Sequence, residues 1–157
     1  MDNNIPSQTP GPLALFGSGE TAPSGQKIFD FLFKRIPSSP IVSIIETPAG
    51  FEPNSEKVAG NVADFLTDHL QNYKPQLRLI PARKKGSDFS PNDPDIALPI
   101  LESDLIFMGP GSPTYAIRQL ENSLTWEYLI TRHRMGAALA LSSATTIAIS
   151  SSALPVY

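Results

Sequence analysis

The sequence predicts an α/β domain, three-layered and doubly wound on a mostly parallel sheet. Three observations lead there. Short continuous apolar runs alternate with amphipathic stretches along the chain, the order of a parallel sheet with helices on both faces. Several runs end in glycine or small polar residues, notably at Gly17, Gly109 and Ser143. With 157 residues, 41% apolar and 17% charged, the chain can bury one real core.

Residues 1–11 read as a disordered arm, and 12–157 as a single domain. Leu13-Ala14-Leu15-Phe16 is a buried-strand run ended by Gly17-Ser18-Gly19. Ser24 is expected to cap a helix through about Arg35, with Ile28, Phe31 and Leu32 on one face. Pro37 and Pro40 end it. Ile41 to Ile45 is the second strand, and Glu46-Thr47-Pro48-Ala49-Gly50 its exit loop. Val58, Val62, Phe65, Leu66 and Leu70 then form the clearest helical stripe. Leu77 to Ile80 is a third strand, followed by a polar loop over 82–92. Asp93-Pro94 opens a short helix as cap and first position. Leu105 to Met108 is a strand, and Ser112-Pro113 repeats the cap-then-proline start before a helix over Tyr115 to Leu120. Trp126 to Ile130 reads as a helix, Ala137 to Leu141 as the last strand, and Ala144 to Ser151 as a helix directly behind Ser143. The 16 prolines punctuate these short elements rather than forming a linker.

Composition excludes several function classes. The net charge of −3 offers no basic surface for a nucleic-acid backbone, and Arg83-Lys84-Lys85 reads as a solvated loop. With no cysteine, disulfides, thiolate metal sites and cysteine nucleophiles are out. His69 and His133 are too few for a metal cluster, and no cofactor is expected. Met1 to Gln8 lacks the apolar core of a signal peptide. The stretch from Gly136 to Ile149 falls short of the about twenty apolar residues of a membrane span. The expected location is the cytoplasm, with no membrane partner.

Ligands of parallel α/β sheets bind beyond the carboxyl ends of the strands. Three strand exits carry the candidate chemistry. Gly17-Ser18-Gly19-Glu20-Thr21 has the glycines of a phosphate cradle but neither the lysine of a P-loop nor the third glycine of a dinucleotide fingerprint. A simple turn and a role in another substrate site stay open for it. Gly109-Pro110-Gly111-Ser112-Pro113 places the N–H groups of Gly111 and Ser112 where oxyanion donors are found, or is a tight turn and a cap. Leu141-Ser142-Ser143-Ala144-Thr145-Thr146 fits the strand–serine–helix order of a nucleophile elbow, although Leu141 and Thr145 stand where an elbow carries glycines. A helix cap is the alternative.

The ordered set of strand ends, Gly-Ser-Gly-Glu, Glu-Thr-Pro-Ala-Gly, Met-Gly-Pro-Gly-Ser and Ser-Ser-Ala, resembles the cyanophycinase and aspartyl dipeptidase family of serine peptidases. Those enzymes have the flavodoxin-like, class I glutamine amidotransferase-like fold. The resemblance spans roughly residues 12–152 and is strongest over Phe107 to Leu120 and at Ser143-Ala144. It implies that Ser143 is the nucleophile, that Gly111 and Ala144 supply oxyanion N–H groups, and that Glu20, Thr47 and Ser112 line the substrate side. The implied activity is hydrolysis of a peptide or amide bond through an acyl-enzyme, on a small peptide or acidic amide. A homodimer stays open.

A serine hydroxyl needs a neighbouring base. In the family the histidine and its orienting acid follow the serine. Residues 144–157 contain no His, Asp, Glu, Lys or Arg. The expectation is therefore the N-terminal part of a longer domain, lacking its C-terminal strands and inactive alone. A complete chain that has lost catalysis is the competing account. His133, in Thr131-Arg132-His133-Arg134, reads as a helix-end cation rather than a base, and His69 as a surface or helix-end residue. A non-catalytic domain holding a small acidic ligand on the same fold is the alternative function, and a fragment without a stable fold is a third reading.

Overall fold

The computed structural model describes residues 9–153. Most of the expected N-terminal arm, and the apolar tail Leu154 to Tyr157, lie outside the described residues.

Five strands form one all-parallel sheet: β1 (Leu13–Phe16), β2 (Ile41–Ile45), β3 (Gln76–Ile80), β4 (Leu105–Met108) and β5 (Ala138–Ser142), in the order β1-β5-β4-β2-β3. From β2 onward the order is that of a flavodoxin-like sheet, with β1 in the place of its fifth strand. The helices are α1 (Pro23–Phe33), α2 (Ser55–His69), α3 (Pro94–Ala97), α4 (Pro113–Leu120), α5 (Leu124–Arg134) and α6 (Ala144–Ala148).

Strand alternation divides the core into two layers. On one face Phe16, Val42, Ile44, Leu105, Phe107, Ala138 and Ala140 pack against α1 and α2 through Phe29, Leu32, Val62, Phe65 and Leu66. The alanines of β5 leave room for the large rings beside them: Phe29 lies 5.3 Å from Phe16 and 6.0 Å from Phe107 between ring centroids. On the other face Ile45, Ile80, Ile106, Met108, Leu139 and Leu141 meet Leu120 of α4 and Leu129 of α5. Ser43 is fully buried on that second face, and its hydroxyl accepts from Ser103 Oγ at 2.7 Å, so the polar group has its partner.

The five strands lie within a residue of their expected bounds, and the helix ends differ more. Helix α1 begins at Pro23, so Ser24 is not its cap; Ala22 holds that position without a side-chain bond. Proline at the first helical position needs no partner for a missing N–H, so the start is viable without a hydroxyl cap. Asp93 and Ser112 do cap α3 and α4, accepting from Asp95 N at 2.9 Å and Tyr115 N at 3.2 Å. Helix α5 starts slightly before the expected Trp126, at Leu124, where Ser123 caps it, accepting from Trp126 N at 3.2 Å, and runs on past Ile130 to Arg134. Helix α6 is shorter than expected and ends at Ala148. Among the described residues no helix is long and apolar enough to cross a membrane.

Candidate active site

The sheet order sets the carboxyl ends of four neighbouring strands side by side. Register pairs Phe16 with Ser142, Met108 with Leu141, and Ile45 with Met108. The exits at Gly17, Ser143, Gly109 and Glu46 therefore line one edge of the sheet. Two are stitched together by Thr145, whose hydroxyl lies 2.8 Å from Met108 O and 2.9 Å from Ser142 O. Having one proton, it donates to one of them at a time, while it accepts from Ser142 N at 3.1 Å.

Ser143 sits between β5 and α6 with φ 53 and ψ −112. That is a backbone conformation L-residues avoid, set at a sharp turn from strand into helix, the geometry that a nucleophile elbow also has. Its N–H donates to Phe16 O at 3.0 Å. Its hydroxyl makes no cap bond and has no hydrogen-bond partner among the described residues, and the residue is half-buried. The reading of Ser143 as a cap by its side chain is therefore set aside. The glycine that an elbow carries two positions later is replaced by Thr145, which is buried and bonded to the strand ends. A hydroxyl stitch thus occupies the tight space between helix and strand.

Gly111 has φ 149, and a Cβ there would lie 1.9 Å from Pro48 O. Only glycine lets the loop after β4 lie against the turn after β2 this closely. The N–H groups of Gly111 and Ala144 donate to nothing among the described residues. Ser112 is anchored in the loop: its N–H donates to Pro48 O at 2.9 Å and its hydroxyl accepts from Tyr115 N as the cap of α4. Thr47 is likewise fully buried in a single turn of 3-10 helix over Thr47–Ala49, and its hydroxyl donates to Ala82 O. Its hydroxyl braces the β2 exit.

Glu20 does reach the edge, with its carboxylate turned onto the elbow: Ser142 Oγ donates to Glu20 Oε2 at 2.7 Å. The sequence reading also passed over Glu46. This buried carboxylate pairs with Arg83 Nε at 2.7 Å and accepts from Ser55 Oγ at 3.3 Å. Tyr115 Oη donates to Arg83 O at 2.9 Å, and burial pushes its phenol up from the ordinary range. These contacts bind the loop over 82–92 to α4 and to the β2 exit. No spacing in the sequence announces the two contacts of Arg83, since each joins residues more than thirty positions apart.

Neither histidine reaches this edge. His133 closes α5 with Nδ1 at 2.9 Å from Ala137 O, just before β5 begins. The length of β5, about 16 Å at 3.3 Å per residue, separates it from Ser143. His69 ends α2 and stacks on Phe65 at 4.5 Å. Among the described residues no group of three or more His, Asp or Glu is placed to hold a metal.

No protein-family model matches the chain, and no curated protein matches it. Solved structures do. The chain is similar to a peptidase from an acI-B1 Actinobacterium, with TM-score 0.73 and 23% identity over 88% of this chain and 56% of that one. It is also similar to a protein assigned as peptidase E from Listeria monocytogenes EGD-e, with TM-score 0.60 and 16% identity over 88% of this chain and 61% of that one. The chain thus spans less than two thirds of either structure. At these identities the likeness is one of fold: the chain has the flavodoxin-like three-layer architecture that these peptidase structures share.

Proposed function

We propose that this chain carries the nucleophile half of a cyanophycinase-like serine peptidase. The observation that carries the reading is the backbone of Ser143, φ 53 and ψ −112, at a strand-to-helix turn with an unengaged hydroxyl. Such strain persists where a function uses it. In the proposed reaction Ser143 Oγ attacks the carbonyl carbon of a peptide or amide bond, and its proton passes to a base. The free N–H groups of Ala144 and Gly111 receive the oxyanion. The tetrahedral intermediate collapses to an acyl-enzyme, the amine leaves with a proton, and water releases the acid.

The base is proposed to come from residues outside this chain, because nothing in 144–157 can take a proton at neutral pH and His133 is held at the far end of β5. The fold likeness to two peptidase structures of greater length supports this incompleteness. The test is labelling by a fluorophosphonate, read by intact mass, in this chain and in any longer protein containing it. Where the base is present, labelling at Ser143 that Ser143→Ala abolishes is expected; labelling unchanged by that substitution overturns the assignment.

A second reading, a non-catalytic domain for a small acidic ligand, draws on Leu141 and Thr145 at the elbow's glycine positions. A ligand-induced thermal shift with no labelling in any context would favour it.

A further inference from the structure

We propose that Glu20 is a positioning residue that acts through Ser142 to hold Ser143 in its strained conformation; this rests on the reading of Ser143 as nucleophile. Ser142 is the last residue of β5 and is fully buried. Its hydroxyl points to the α1 face of the sheet, with Ala138 and Ala140. A buried hydroxyl there requires an acceptor, and Glu20 Oε2 at 2.7 Å is the one present. The bond crosses from the β1 exit loop to the residue directly before the nucleophile, 122 positions away in the chain.

The loop that delivers Glu20 is itself fixed. The first turn of α1 packs so tightly on it that a Cβ at Gly25 would lie 2.4 Å from Glu20 O. Ala22 N–H donates to Gly19 O at 3.0 Å. Glu20 therefore reaches Ser142 from a rigid support. Its contact joins two others from the same strand end, Ser143 N–H and Thr146 Oγ1, which donate to Phe16 O at 3.0 and 2.8 Å. A residue in a disfavoured conformation stays there only when its surroundings over-determine it. Of these three ties, the Glu20 bond alone has a carboxylate acceptor, which makes it the stronger kind.

The experiment uses the full 157-residue chain and the variants Glu20→Ala, Glu20→Gln, Ser142→Ala and the double Glu20→Ala/Ser142→Ala. Two quantities are read: the rate of fluorophosphonate labelling at Ser143, and the φ-sensitive couplings and carbon shifts of Ser143 by NMR. Glu20→Ala and Ser142→Ala should each slow labelling about tenfold, the scale of a small misplacement of a reacting group. The double variant should be no slower than the slower single, because both remove one bond. Glu20→Gln, which keeps an acceptor, should recover most of the rate that Glu20→Ala loses. The positive-φ signature should persist in Glu20→Gln and fade in the other three. Unchanged labelling and couplings in Glu20→Ala and Ser142→Ala, or additive losses in the double, overturn the proposal. Should the unsubstituted chain not label at Ser143, which the proposed supply of its base from outside the chain allows, the couplings alone decide the positioning role. Should Glu20→Ala not fold, Ser142→Ala and Glu20→Gln decide it: a signature lost in Glu20→Gln overturns it.

Discussion

The backbone N–H of Ser143 donates to the carbonyl oxygen of Phe16 at 3.0 Å, so the residue with φ 53 hangs from the end of the neighbouring strand. Strand β1 is thus more than an edge. Its last carbonyl also accepts from Thr146 Oγ1 at 2.8 Å, and the turn and the first residues of α6 are held to it together.

This strain has a measurable counterpart. Ser143→Gly should stabilise the protein by about 1 kcal/mol, because glycine adopts positive φ without the side-chain clash. Ser143→Ala should leave stability nearly unchanged. Both should abolish labelling at this position. Urea midpoints and intact mass check the pair, and a destabilised Ser143→Gly would mean that the conformation carries no strain.

The loop at Gly111 should tolerate no side chain. Gly111→Ala meets Pro48 O at a Cβ distance of 1.9 Å, in a conformation L-residues rarely adopt. A loss of about 3 kcal/mol or more is expected. Gly60→Ala is the control. It lies within α2 with nothing within 4 Å of its Cβ, and should gain about 1 kcal/mol from helix propensity. Equal effects from the two substitutions in thermal unfolding would contradict the close approach.

Arg83 and Glu46 should behave as a coupled pair. Arg83→Ala leaves the carboxylate of Glu46 buried with only the hydroxyl of Ser55 at 3.3 Å, at a cost of about 3 kcal/mol. Arg83→Ala/Glu46→Gln should lose much less than the sum of the two single variants. Additive losses in a denaturant-based double-mutant cycle would show that the pair is not coupled.

Acid stability has a named contributor in Asp30. The Lys34 ammonium and the Tyr73 phenol both donate to it at 2.6 Å, and these bonds hold its carboxyl below the usual aspartate range. A depressed folded-state value means that its contribution is present above the unfolded value, near pH 4, and is lost as pH falls through the folded value. Asp30→Asn should therefore flatten the acid limb of a midpoint-against-pH curve and leave its slope near neutrality unchanged. An unaltered acid limb would remove Asp30 from the account.

Much of the fold was legible because burial leaves a local record. A strand covered on both faces is an apolar run, and β4 shows as such; β1 is equally apolar although Leu13 and Leu15 are exposed, and the edge strand β3 carries Gln76 and Arg78. Ser112-Pro113 and Asp93-Pro94 announced their helices because capping is a contact over two or three residues. Ser24 misled because a hydroxyl near a helix start resembles a cap, while Pro23 makes one unnecessary. The site was legible as positions and not as partners. Ser143, Gly111 and Ala144 stand at the strand ends where parallel-sheet chemistry is expected.

The sequence by itself determined which residues build strands and helices, and that Ser143 follows a buried strand and precedes a helix. Those properties depend on neighbours within a few positions. Only the tertiary structure decided that Ser143 takes φ 53, that the hydroxyl of Thr47 bonds to Ala82 O and the N–H of Ser112 to Pro48 O, and that Glu20 grips Ser142. Each of these depends on which strand ends meet, and that is set by the sheet order β1-β5-β4-β2-β3. Strand order arises from packing the whole chain at once, so no local stretch of sequence contains it.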